Sequence, residues 1–313
     1  MRKILAAVFG VVLIASSMAA QKSLQQESSA RGSAEDCEPI TPIPQPPLAD
    51  SKRLSLGESL FSDTRLSASG TFACASCHDV GTNGADRTKG SGNASAMLDT
   101  LTVFNAALSF RLTWEGRFRT LAEQAEASIA NPNNMNSSVS EAVLRLKKDP
   151  ATNRMFRAAY GHDVDRDSVL DAIVTFERSL LTPDSRFDRW LGGDTSALTP
   201  AELDGYRAFK SFGCSSCHQG INIGANLFAQ QGIFRPLVLR GPSTVRVPSL
   251  RNVAETAPYF HDGSAATLEA AVRRMAASQL NRTLADDQVA SLVAFLKTLT
   301  GNYRGKPVSG GSP

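Results

Sequence analysis

The chain has 313 residues, 42% of them hydrophobic and 20% charged, which supplies apolar material for about two ordinary domains and excludes a disordered or collagen-like polymer. Its 33 basic and 30 acidic residues leave a formal charge of +3 with no long charge run, so the clustered Lys and Arg that bind phosphate backbones are missing and nucleic acid is excluded as a partner. Five cysteines are too few for a disulfide scaffold of this length, and four of them fall in two identical short spacings.

Residues 1–19 read as a secretory signal: Arg2 and Lys3, an apolar run from Ile4 to Ile14, then small residues through Ala19 and Ala20. That run is too short to span a bilayer well, so the expected mature protein is exported to the periplasm and soluble. Residues 20–50 read as an exposed leader, because Pro39, Pro42, Pro44, Pro46 and Pro47 can neither continue a helix nor pair in a central strand. Cys37, in that leader, has no assigned use. From Ser51 the pattern is helical. Ser138 with Glu141 forms a capping-box pattern before Val139, Val143, Leu144 and Leu146, and Val169, Leu170, Ile173, Val174, Phe176 and Leu180 repeat at helical spacing. Thr199 with Pro200 and Glu202 opens a further helix, Thr267 caps another, and the last runs from about Leu284 to Leu299 before Gly301. Alternating strand patterns are scarce. The expected fold is therefore mainly α, with a loose tail over 304–313.

Cys74-Ala75-Ser76-Cys77-His78 and Cys214-Ser215-Ser216-Cys217-His218 both have the C-x-x-C-H form of c-type haem attachment. Two thiols one helical turn apart reach the two vinyl groups of one porphyrin, and the adjacent imidazole lies over the iron. A zinc site made from both cysteine pairs would leave His78 and His218 unexplained. Two covalent haems are therefore expected. What faces each iron opposite its histidine decides between electron storage and chemistry. The remaining donors are His162, His261, Met97, Met135, Met155 and Met275. By spacing alone Met275 belongs with Leu268 and Val272 on one helix face, a core position, and His162 reads as a surface histidine.

Longer segments carry a resemblance. Phe176-Glu177-Arg178-Ser179-Leu180 with Ser185-Arg186-Phe187-Asp188, then Val247-Pro248-Ser249-Leu250-Arg251-Asn252-Val253, then Ala257-Pro258-Tyr259-Phe260-His261-Asp262-Gly263 make the chain resemble the bacterial di-haem cytochrome c peroxidase family, MauG-like enzymes included, from about Leu54 to Gly301. The resemblance implies an all-α fold of two cytochrome c-like domains, here 51–182 (peroxidatic) and 183–303 (electron-transferring), each around one haem. It implies reduction of hydrogen peroxide with electrons from a small cytochrome c or copper protein, and a homodimer. It places Met275 as sixth ligand of the C-terminal haem, Trp114 between the haems, and His261 as a functional residue of the loop between domains. It also implies a calcium ion near Asp99, Thr256 and Pro258, oxygen donors that suit a hard cation.

Two departures stand out. Many relatives hold a blocking histidine in the loop after the first motif, but residues 79–101 contain none, so the N-terminal iron is expected to be open, with Met97 or Lys89 as the alternatives. Relatives also place a Gln and a Glu over the peroxide. Gln124 matches the first, whereas Asn134 stands at the second, and an amide does not titrate. Glu123 and Glu126 are the neighbouring carboxylates that could compensate. The competing expectations are a di-haem electron carrier without peroxidase activity and a MauG-like oxidase; the latter is weakened because those enzymes have Tyr at the Met275 position.

Overall fold

The computed structural model describes residues 38–85, 99–238 and 241–310. The signal segment, Cys37, Lys89 and Met97 lie outside the described residues. Helix α1 (Ser51–Phe61) starts where the Asp50 carboxylate accepts the backbone N–H groups of Lys52 and Arg53. Five helices follow in chain order: α2 (Leu121–Ala130), α3 (Val139–Lys147), α4 (Pro150–Tyr160), α5 (Arg166–Ser179) and α6 (Arg186–Leu191). Then come α7 (Pro200–Ser211), α8 (Leu268–Leu280) and α9 (Asp286–Lys297). The Ser138–Glu141 and Thr199–Glu202 capping boxes and the Thr267 cap all form as the sequence predicts.

Contacts partition the chain after Pro39, and every element named here lies in the unit Ile40–Pro313. That unit has two main apolar clusters. One gathers Leu56, Leu60, Ile129, Leu146, Phe156 and Ile173; the other gathers Phe187, Tyr206, Phe209, Leu292 and Phe295. Each is built on a close helix crossing that a glycine permits. A Cβ on Gly57 of α1 would lie 2.0 Å from the Ala172 carbonyl oxygen of α5, and one on Gly205 of α7 would lie 2.0 Å from that of Ser291 in α9. One turn beyond each glycine an aromatic pair closes the crossing. Phe61 meets Phe176 and Phe209 meets Phe295, each with ring centroids 5.2 Å apart.

The path around each crossing is repeated at a constant sequence offset. Asn105 (φ 60°) opens the short 3-10 turn Ala106–Leu108, and Asn252 (φ 59°) opens Val253–Glu255. Next comes a tight loop closed by an antiparallel bridge, Leu112 to Phe118 in one half and Tyr259 to Ala265 in the other. Each loop has two left-handed residues, Thr113 and Gly116 or Phe260 and Gly263. A threonine, Thr120 or Thr267, then caps the following helix. Trp114 and His261 thus hold equivalent places.

The mainly helical expectation is met, with two small additions. Strands β1 (Phe228–Gln230) and β2 (Thr244–Arg246) pair antiparallel, as do β3 (Asn302–Tyr303) and β4 (Lys306–Pro307). At two or three residues each, they are too short to show an alternating pattern in sequence. Two expectations need correction. The leader is not exposed throughout: residues 44–50 are, but Ile40 and Ile43 are buried, the Thr41 carbonyl accepts from Arg251 Nη2 at 2.7 Å, and the Ile43 N–H donates to Asp188. Arg251 and Asp188 form a buried ion pair at 2.7 Å, which makes this docking surface polar and specific. Nor is the tail loose as far as Gly310, since Val308 is buried and donates to Gly301, and the Gly310 N–H donates to the Glu255 carboxylate.

Candidate active site

Each C-x-x-C-H segment is one 3-10 turn, Cys74–Ser76 or Cys214–Ser216, in which the histidine N–H donates back to the first cysteine carbonyl at 3.0 Å. No disulfide joins the two cysteines of either pair. The rings are fixed in the same way: His78 Nδ1 lies 3.1 Å from the Gly84 carbonyl oxygen and His218 Nδ1 lies 3.3 Å from that of Ile223. A carbonyl can only accept, so Nδ1 carries the proton and Nε2 is left with a lone pair that could bind a metal. Burial pushes the His218 pKa down to about 4, keeping the imidazole neutral. It pushes the Cys74 thiol up to about 12, aided by the Glu177 carboxyl, and the Cys214 thiol up to about 11.

Both motifs open onto one cavity of about 1290 Å³, larger than the usual small-ligand pocket. Its size, its two oriented imidazoles and the three motif thiols that line it, of Cys74, Cys77 and Cys214, fit two porphyrins attached at these turns. Among the described residues no group of three or more His, Cys, Asp and Glu side chains could hold a metal ion by itself.

Trp114, Gln124, Asn134 and Met275 all line this cavity, as do Asp99, Thr256 and Pro258. Trp114 Nε1 donates to the Asp99 carbonyl at 2.8 Å, and the Asp99 N–H donates to the His261 carbonyl at 2.5 Å. The Trp114 and His261 rings meet edge to face with centroids 6.1 Å apart. His261 itself is buried against Gly241, where a Cβ would come within 2.2 Å of its Nε2. Two of the surplus donors fall away: His162 and Met155 are on the surface. The neighbouring carboxylates are also engaged elsewhere. Glu123 accepts the backbone N–H groups of Arg119 and Thr120, which lowers its pKa, and Glu126 pairs with Arg166. Neither lines the cavity.

Sequence reasoning passed over two cavity residues. Glu177 is buried on α5, its Oε2 has no hydrogen-bond partner, and burial pushes its pKa up to about 8. A signal was present, since Glu177 falls four residues after Ile173 and interrupts an apolar helix face. Arg246, at the end of β2, is 6% exposed; its Nε donates to the Thr113 carbonyl at 3.1 Å and no carboxylate among the described residues pairs with it. Desolvation lowers its pKa to about 10, still leaving a cation at neutral pH. No sequence pattern marks it.

Comparison with known proteins agrees with this geometry. A family model for di-haem cytochrome c peroxidase matches residues 51–196. The cytochrome c551 peroxidase of Nitrosomonas europaea is 40% identical over 283 residues, covering 85% of this chain and 85% of the relative. The methylamine utilization protein MauG of Methylorubrum extorquens is 32% identical over 289 residues, covering 82% and 81%. A solved MauG-like protein associated with microbial copper homeostasis superposes with a TM-score of 0.71 at 27% identity, covering 83% of this chain and 94% of that one. With two haem-attachment turns facing one cavity and relatives of this extent, the chain belongs to the di-haem cytochrome c peroxidase family and is an oxidoreductase of the cytochrome c peroxidase type.

Proposed function

We propose that this protein is exported to the periplasm by residues 1–19 and reduces hydrogen peroxide to water, taking electrons from a small cytochrome c or copper protein. One peroxide, two electrons and two protons give two waters, and both haems, 51–182 holding one and 183–303 the other, contribute. When bound, each haem supplies an iron that exchanges single electrons. The observation that carries the reading is the inequality of the two histidine sites: Met275 lines the cavity from α8 in the C-terminal half, while Gln124 and Asn134 line it in the N-terminal half, where the thioether at the cavity wall, Met135, is packed into the apolar cluster with Leu56 and Ile129. His78 and His218 would hold the irons, and Met275 would close the free face of the second. Gln124 and Asn134 would orient peroxide by hydrogen bonding, with Trp114 between the two sites.

The buried Arg246 guanidinium lines this cavity without a counter-charge, which suits a porphyrin carboxylate. Calcium at the Asp99 carboxylate and the Thr256 and Pro258 backbone would steady the Trp114–Asp99–His261 chain of contacts. A homodimer is the proposed assembly.

Asn134 favours one rival, a di-haem electron carrier, because an amide cannot deliver the proton that O–O cleavage needs. Peroxide-dependent oxidation of a reduced cytochrome, followed by stopped flow, separates the two. Asn134→Glu is expected to raise turnover by about two to four powers of ten. If neither protein consumes peroxide although both haems are attached, the carrier reading replaces this one.

A further inference from the structure

The repeated path has a consequence for the N-terminal site. Ser128 stands eight residues after its helix cap Thr120, and Met275 stands eight residues after Thr267. Equal spacing from equivalent caps gives the two side chains the same phase on their helices. Both are half-buried and both line the cavity, Ser128 in the half that carries His78 and Met275 in the half that carries His218. Ser128 also has a polar neighbour, since Asn134 Nδ2 donates to its Oγ at 3.3 Å.

We propose that Ser128 occupies, opposite His78, the place that Met275 occupies opposite His218, leaving that iron face to a small exogenous ligand which the Ser128 hydroxyl and Asn134 amide receive. A thioether sulfur is a regular haem ligand and a serine hydroxyl is not, so one substitution in a duplicated frame separates a closed site from an open one. Ser128 is in this respect a positioning residue. The inference rests on the reading that both histidines hold haem, and it does not depend on peroxide turnover.

The test is Ser128→Met in the full-length protein with both haems attached, with Ser128→His as a second variant should the thioether reach poorly. Methionine favours helix, so α2 tolerates it. Electron paramagnetic resonance of the oxidised and half-reduced protein should show the N-terminal haem converted to a new low-spin species, with the C-terminal signal unmoved. Cyanide affinity at the N-terminal haem should fall by about tenfold or more, a loss of ~1.4 kcal/mol at least. Wild-type g values and wild-type cyanide affinity in both variants would overturn the proposal. A protein that turns over no peroxide leaves both readouts intact, so the failure of one idea is not mistaken for the failure of the other.

Discussion

The α1–α5 and α7–α9 halves use the same frame for different ends. In both, a glycine lets two helices touch and a phenylalanine pair closes the crossing; in both, a 3-10 turn presents two thiols and an oriented imidazole. They differ where side chains reach the cavity. The N-terminal half has Trp114, Ser128 and Glu177; the places equivalent to these hold His261, which is buried and outside the cavity lining, Met275, and the apolar Leu296, which follows Phe295 as Glu177 follows Phe176. His218 is buried, whereas His78 is half-buried. Backbone packing thus gives the two halves one frame, and a few substitutions on that scaffold change which side chains line the cavity.

Making the halves alike is the sharpest way to break this contrast. Met275→Ser should open the C-terminal haem, replacing its low-spin signal with a high-spin one and making its reduction at least about tenfold less favourable, ~59 mV for each factor of ten in a one-electron couple. A redox titration that leaves both the spectrum and the potential in place would remove Met275 from the iron.

The shared frame makes a second demand. Gly57→Ala and Gly205→Ala each force a Cβ against a carbonyl oxygen of the partner helix, so each should cost about 1–3 kcal/mol in denaturant unfolding. Because the sites are in separate apolar clusters, the double variant should add to within about 0.5 kcal/mol. A loss confined to one half would show that the two crossings are not equivalent.

Glu177 provides the mildest test, and it concerns one half only. Its native pKa of about 8 lies above the ordinary carboxylate range, so the native state binds this proton more tightly than the unfolded chain does. Its contribution to stability is therefore full below the unfolded pKa, falls as pH rises through the window, and levels off above about pH 8. Glu177→Gln should flatten that decline, whose slope is at most ~1.4 kcal/mol per pH unit. Thermal midpoints measured across the window check it, and equal slopes in both proteins would contradict a buried, neutral Glu177.

Local chemistry was readable before any coordinates. The capping boxes at Ser138 and Thr199 formed because a cap, its backbone donor and the returning carboxylate are three residues apart. The docking of Ile40 and Ile43 was not readable, since Thr41 meets Arg251 from the far end of the chain and proline content speaks only to local conformation. Glu123 and Glu126 look like spare carboxylates in sequence, and they turn out to be engaged by a helix cap and by Arg166.

What the sequence determined by itself was therefore covalent and helical: two haem-attachment turns, the principal caps, and the identity of the groups at Gln124, Asn134 and Met275. Each depends on neighbours within a turn or two, where backbone geometry leaves few choices. The tertiary structure decided which of these groups share a cavity, that Trp114 leans on Asp99 and His261, and that Arg246 and Glu177 are buried beside them. Burial and solvation are properties of the whole chain's packing, and no short window of residues carries them.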